Sequence, residues 1–469
     1  MTSTNDLSRL HRRLIVATTL SASFLSVLTQ FLLITAFPKI MTEFNIDSSE
    51  VQWLTTSFML TVAVLIPITG YFIDRFKTRT LMTSAMTLFF IGTLIGLIAP
   101  SFSILIVGRI VQGIGSGIMI PLMQTIMFLS YPREKRGFAM GLAALVINVA
   151  PAVGPPISGL LIEYFEWRGL FLLTLPVAAI ILLLVYLFMR NITEQRKTAI
   201  DYLSIIFSTV GFGGILYGFN RIEEAGLTDA GALVSLTGGI IALGLFVFRQ
   251  LRLETPILEL RVLKVPVFAL VAFISILSFS LLISIETILP MYVQNAQQLS
   301  AYYGGLIVMP GALTLAVMSL FAGRLFDKYG GKTIAIIGFV LLCLSTLGFY
   351  FVIDLDTPFF VAMVLFMVPM AGVALINMPI MTAGINALPD ALIPHGTAVI
   401  NTARQFGGSL GLTFIISFIS RAAGDSGPVN PINYLSGVKT AFFVAFLFAI
   451  TGLVLSCFLK KSNSMEEAF

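Results

Sequence analysis

Apolar runs of about twenty residues, each closed by a short polar segment, recur along almost the whole chain. Marking the runs and their breakers predicts fourteen helices, at about 14–37, 51–72, 81–99, 103–125, 137–161, 169–189, 202–220, 231–248, 266–290, 301–322, 333–353, 358–380, 395–419 and 439–459. Runs of this length match a bilayer core of about 30 Å at a rise of about 1.5 Å per residue. Inside lipid no water satisfies backbone groups, and no run shows the alternation of a barrel strand, so the expected class is all-α and membrane-spanning. An even number of spans puts both termini on one side.

The charges give the orientation. Most of the 28 Lys and Arg residues fall in loops on the side of the N-terminus: Arg9, Arg12 and Arg13; Arg75, Lys77 and Arg79; Arg133, Lys135 and Arg136; Arg190, Arg196 and Lys197; Arg249, Arg252, Arg261 and Lys264; Arg324, Lys328 and Lys332; Lys460 and Lys461. Basic loops stay in the cytoplasm, so both termini are expected there, in a multi-pass protein of the cell membrane. Only the loop around Asp390 on that side has no base. The formal charge of +5 is thereby explained without an acidic partner. With 57% hydrophobic and 11% charged residues, soluble enzymes, nucleic-acid readers and secreted disulfide scaffolds are excluded. The run over 14–37 is too long for a signal-peptide core and reads as an uncleaved first span. Cys343 and Cys457 sit in apolar runs and read as inert core residues, while His11 and His395 read as loop residues far apart, so neither a metal site nor a histidine-based hydrolase is expected.

The chain repeats itself. One constant shift superposes Gly70, Asp74 and Arg75 on Gly323, Asp327 and Lys328, and also Asn148 and Gly154 on Asn401 and Gly407. Two parallel copies of six spans follow: residues 1–198 form an N-terminal bundle, 199–262 two inserted helices with a linker, and 263–469 a C-terminal bundle. Parallel halves with a midplane site are the architecture of rocking secondary transporters.

Several residues stand out against this apolar background. The segments GYFIDRFKTR from Gly70 and GRLFDKYGGK from Gly323 combine a glycine that permits close helix approach with an acid and bases that cap neighbouring helix ends, which suits a latch. Arg109 and Gln112 share a face of the fourth helix at i, i+3, and an arginine there costs at least about 2.5 kcal/mol unless hydrated or paired. Gly113, Gly115 and Gly117 follow no strand and read as packing glycines rather than a dinucleotide loop, and Phe326 stands where a P-loop ending at Lys332 would need its first glycine, so no nucleotide is expected. Gly154, Pro155 and Gly159 lie in NVAPAVGPPISG, a run suited to a hinge. Glu286 is the one carboxylate inside any predicted helix; desolvation favours a neutral acid, so a carboxyl group placed there can load and release a proton as its exposure alternates. Arg404 is equally costly in its span, and its pairing with Glu286 is left open by the sequence. Gln30, Gln124, Asn148, Asn377 and Asn401 are candidate cavity residues alongside Arg404.

These motifs resemble the major facilitator superfamily, in particular its fourteen-span drug/proton antiporter branch, over essentially the whole chain. Gly70 to Arg79 is similar to the family's loop motif, Leu105 to Gly117 to its fourth-helix motif, and Gly154 to Gly159 to its antiporter motif; the QWLTTSFML and EWRGLFLL runs match habits of the same branch. Lys77 and Thr78 replace the loop motif's usual glycine and base, and Thr29 stands where many relatives carry an acid, so that acid's role does not transfer. The resemblance implies a monomeric multidrug efflux transporter that exchanges amphiphilic, neutral or monocationic compounds for protons by alternating access. It would need no cofactor beyond the proton motive force, with Glu286 and Arg109 coupling protons. Asp74 and Arg75 would close the cytoplasmic face. A dedicated exporter of a lipid, peptide, siderophore or other metabolite is the alternative on the same fold. A membrane enzyme is disfavoured by missing nucleophile and metal clusters, and a channel by the missing filter.

Overall fold

The computed structural model describes residues 9–193, 195, 201–225, 229–423 and 430–459. Arg196, Lys197, Lys460 and Lys461 lie outside them. The elements in chain order are α1 (Arg9–Leu32), α2 (Phe37–Phe44), α3 (Ser48–Arg75), α4 (Thr78–Ile98), α5 (Phe102–Ser130), α6 (Arg136–Tyr164), α7 (Arg168–Phe188), α8 (Tyr202–Ala225), α9 (Ala230–Arg252), α10 (Pro266–Met291), α11 (Ala301–Val352), α12 (Phe359–Asn386), α13 (Ile393–Ala423) and α14 (Pro431–Cys457). No strand occurs among the described residues. Twelve of the described helical segments are long and apolar enough to cross a membrane. One of them contains the 52-residue α11, which breaks at Gly330, where φ 78° and ψ 166° suit a residue without a Cβ. α13 is absent from the twelve.

The helices run further than the apolar runs suggested. α3 takes in the second-helix motif as far as Arg75, and α11 continues as helix through Gly323 and Asp327, where a loop was expected. Basic and acidic residues at a helix end can stay wet while the backbone bonds continue, so hydropathy undercounts such ends. His11 and His395 likewise lie in helices rather than loops, and Cys457 is exposed rather than in the core, with Cys343 only partly buried. Polar residues inside the spans are accommodated within their own helices: the hydroxyls of Thr19, Thr29, Thr93, Ser319 and Thr382 each donate to the carbonyl four residues earlier.

The chain forms two compact units. The first comprises residues 1–132, 149–261 and 390–401. In it the glycines of α5 serve close packing: Gly113 and Gly117 meet α3 at Thr61 and Leu65, and Gly108 and Gly115 meet α4 at Gly92 and Ala85. Asp47 and Glu50 form a reciprocal capping box that starts α3. At the α2 end, Glu43 accepts from Trp167 Nε1 (2.5 Å) and Arg168 Nη1 (2.6 Å), and Arg168 also donates to the Ala99 carbonyl. α8 and α9 pair through Gly211, Gly214 and Gly239, and α8 lies against α3, with Tyr217 tilted onto Trp53.

The second unit comprises residues 133–148, 262–389 and 402–469. Gly338 and Gly372 bring α11 and α12 together, and Gly452 seats α14 on Phe339. At the far end of α10, Tyr292 donates its hydroxyl to the Asp354 carbonyl (2.5 Å), and Gln297 donates to the Thr357 carbonyl (2.8 Å).

One polar knot holds α8 and α9 at the end that leads into the linker. Arg249 Nε and Nη2 donate to the Asp201 carboxylate at 2.7 and 2.9 Å, Ser204 donates to the same carboxylate at 2.6 Å, and Gln250 Nε2 donates to Ser204 Oγ at 2.6 Å. The bonded Arg249 guanidinium holds the Asp201 carboxyl below the ordinary carboxylate value. A depressed folded value means that this stabilisation is complete above the unfolded value of about 3.9 and disappears as pH falls through the lower folded one. Asp201→Asn is therefore expected to cost about 1 kcal/mol at pH 7, given the partial exposure of Arg249. Thermal unfolding followed by intrinsic fluorescence at pH 7 and at progressively lower pH tests this, with the difference between wild type and variant closing at the acid end.

Candidate functional site

In the first unit, Arg109 on α5 is fully buried, with no acid paired to it among the described residues. Its Nε donates to the Leu54 carbonyl (3.0 Å), its Nη1 to Gln112 Oε1 (2.9 Å), and its guanidinium lies 4.3 Å from the centre of the Phe58 ring. Gln112 passes the network on to Thr93 Oγ1 (2.8 Å). Arg109 Nη2 has no partner among the described residues. Its charge is thus met by dipoles and a ring face, which leaves one guanidinium nitrogen unpartnered in the interior among the described residues.

Gln124, also on α5, accepts from Asn401 Nδ2 at 2.5 Å, and Asn401 donates as well to the Thr397 carbonyl. Gln30 on α1 is partly exposed and takes no bond among the described residues. Gly154 lets α6 close on Phe31 of α1, where a Cβ would come within 3.0 Å of that side chain, whereas Gly159 faces open space. The side chains of Pro155 and Pro156 lie outside the described residues. Thr29 is buried with its hydroxyl turned onto the Leu25 carbonyl (2.7 Å).

In the second unit, Glu286 lies on α10 between buried Ile285 and Ile288. Its side chain is partly exposed, and no hydrogen bond or ion pair reaches it among the described residues. The neighbouring Ser284 hydroxyl is buried and also lacks a partner. Arg404 on α13 is buried, its guanidinium 5.2 Å from the Phe279 ring centre, with Met381 Sδ at 4.0 Å from Nη1 and no partner for Nε. The helix register answers whether the two pair. Gly407, Gly408 and Gly411 pack on Ile276, Phe279 and Ser280, so α13 runs parallel to α10, and Arg404 lies level with about residue 273. Its backbone thus stands roughly 20 Å along the axis from Glu286 and its guanidinium, beside Phe279, about 10 Å from it, beyond any ion pair. Asn377 on α12 accepts from Ser278 Oγ (2.7 Å), and Asn148 on α6 donates to Ser319 Oγ (3.1 Å).

The two repeated motifs meet different partners. Asp327 Oδ1 accepts from the Gly137 backbone N–H (2.9 Å) and Oδ2 from that of Phe138 (2.8 Å), so it caps the start of α6. Gly323 lies directly against Gly137 and Gly141, leaving no space for a Cβ on either side. Arg324 sits over the Phe138 ring, and Lys328 over that of Tyr329. Asp74, by contrast, lies 3.0 Å from Nε2 of His395 on the first turn of α13, and Gly70 lies against the same ring. Arg75 ends α3 beside Asp74. His395, Glu259, Gly137 and Phe138 were not singled out by the sequence; the residues that pair with Asp327 are backbone groups, which leave no side-chain signature. No group of three or more His, Cys, Asp or Glu residues able to hold a metal occurs among the described residues.

Comparison with known proteins adds relationship to geometry. The pattern that defines the Major Facilitator Superfamily matches residues 19–412. The uncharacterized MFS-type transporter YcnB of Bacillus subtilis (strain 168) is 47% identical over 458 residues, 97% of each chain. The lincomycin resistance protein LmrB of Listeria monocytogenes serovar 1/2a is 40% identical over 96% of this chain and 97% of its own. Among solved structures, the human organic anion transporter MFSD10 (TETRAN) superposes with a TM-score of 0.68 over 95% of this chain and 99% of its own, at 13% identity, a likeness of fold alone.

Proposed function

We propose, since this chain belongs to the Major Facilitator Superfamily and is a membrane transporter rather than an enzyme, that it is a proton-coupled drug exporter of the fourteen-span branch. Counting α11 as two spans on either side of Gly330 and adding α13 to the twelve apolar segments supports fourteen crossings. The basic loops then lie in the cytoplasm with both termini. The observation that carries the coupling is Glu286: a carboxyl group inside a span, partly exposed and held by no protein partner among the described residues, is free to exchange a proton with whatever space it faces. Arg109 keeps one guanidinium nitrogen unpartnered in the other unit, among the described residues, and tunes the field that the cargo meets. Gln30, Gln124, Asn148, Asn377, Asn401 and Arg404 offer the polar contacts, Asp74 and Asp327 latch the cytoplasmic ends, and α6 bends at Gly154. The protein acts as a monomer and needs no bound cofactor.

Kinship with a lincomycin resistance protein makes antibiotics of that kind the first cargo to test. Neutral or monocationic amphiphiles are expected to be carried in preference to dications, because among the described residues a second positive charge finds no second acid away from the helix ends. Proteoliposomes with an imposed pH gradient test both points. Adding lincomycin or an ethidium-like monocation is expected to dissipate the gradient, and a dicationic antiseptic to do so at least about tenfold less well, the equivalent of roughly 1.4 kcal/mol. No response to any of these, with a response to a lipid or peptide instead, would replace the multidrug reading by that of a dedicated exporter.

A further inference from the structure

Asp74 and Asp327 occupy matching places in the internal repeat yet close on chemically different partners. The two donors to Asp327 are backbone amides, which do not titrate. Asp74 meets an imidazole. The second ring nitrogen of His395, Nδ1, receives the backbone N–H of Glu259 at 3.3 Å. A nitrogen that accepts carries no proton, so this bond fixes the tautomer: the hydrogen is on Nε2 and is donated to Asp74 at 3.0 Å. The ring is buried, and Gly70 makes room for it, since a Cβ there would stand 3.2 Å from Nδ1.

Glu259 belongs to the linker that follows the inserted helices. The linker is seated on the motif helix by more than this one bond. Ile257 is buried against Ile68 and Tyr71 of α3, the Leu258 N–H donates to Gln250 Oε1 (3.1 Å), and Arg261 Nη2 donates to the Leu251 and Leu253 carbonyls. The charged groups on the elements packed around the ring are Asp74 and Arg75 on α3, Asp390 in the turn before α13, and Glu259 and Arg261 on the linker, whose side chains pair with each other at 3.4 Å. Glu259 therefore offers His395 its backbone while its carboxylate is engaged elsewhere.

We propose that His395 is a positioning residue that seats the 253–261 linker on the Asp74 motif only while its ring is neutral, so that proton uptake from the basic face of the protein unseats the linker. Imidazole is the side chain that ordinarily changes charge between about pH 5 and 8. When Nδ1 gains a proton, two N–H groups face each other and the Glu259 bond is lost, while the bond to Asp74 persists as a charged ion pair. The Asp327 latch, built on amides, is untouched by the same proton. The inserted helix pair thereby has a proton-dependent grip on one latch and none on the other.

Amide hydrogen exchange on the purified full-length protein, without substrate, reads this directly over about pH 5.5 to 8, with rates corrected for the intrinsic pH dependence of exchange. In the wild type, protection of the linker amides around Glu259 is expected to fall about tenfold on acidification, as for one lost hydrogen bond, with Gly137 and Phe138 unchanged. His395→Gln keeps a donor for Asp74 but no acceptor for Glu259, and is expected to show weak linker protection at every pH. His395→Asn keeps an acceptor near the place of Nδ1 and is expected to show protection that does not respond to pH. A flat wild-type profile, or an acid-dependent drop that survives in either variant, overturns the proposal. Because no cargo is present, failure here leaves the efflux reading standing, and failure of efflux leaves this one standing.

Discussion

Glu286→Gln is expected to reach the membrane in normal amount and to hold no drug gradient. Glutamine keeps the size and polarity of the side chain and removes only the ionisable proton, and no protein partner of Glu286 is orphaned by the exchange, since none reaches it among the described residues. Folding should therefore be nearly untouched, which separates this position from Arg109, whose removal would strand Gln112 Oε1 in a dry interior. The energetic stake is set by the proton. One charge crossing about 100 mV supplies about 2.3 kcal/mol, enough for roughly a fiftyfold gradient of a neutral compound. An uncoupled carrier keeps none of it. The measurement is steady-state accumulation of a fluorescent cargo in inverted vesicles energised by respiration, with downhill exchange as the control for a competent cavity. Full accumulation by the Gln variant sinks the assignment of Glu286.

What could be read from the sequence follows from what leaves a periodic or repeated trace. Membrane spans are legible because each must be apolar for twenty residues, and the repeat of Gly70 and Asp74 at Gly323 and Asp327 is legible because both copies keep the same residue types. The contact of Arg109 with Gln112 is local, i to i+3, and is realised as a hydrogen bond. The grip of His395 on Asp74 joins residues 321 apart, and the repeat places Leu142 opposite His395, so neither periodicity nor symmetry points to it. Hydropathy also misjudged where α3 and α11 end, since charged residues at the membrane edge do not interrupt a helix whose backbone bonds continue. Arg404 shows a different limit: composition says that such a residue is costly, but only the register of α13 on α10 shows how far it stands from Glu286.

The second large effect is expected at the amide-built latch. Gly323→Val should lower transport by at least about tenfold and destabilise the protein by about 1–3 kcal/mol or more, because the branched side chain must enter a backbone-to-backbone contact with Gly137 and Gly141. Displacing α11 from α6 also draws the Asp327 carboxylate away from the Gly137 and Phe138 amides, so the cap is lost together with the packing. Asp327→Asn separates the two contributions: it keeps the glycine contact and one acceptor oxygen, removes the charge that faces the helix start, and is expected to cost only about 1 kcal/mol. Pairing thermal unfolding with vesicle transport for both variants decides the matter. If close approach governs the latch, valine is far more damaging than asparagine in both measurements. If the charge governs it, the order reverses in transport while stability still follows packing.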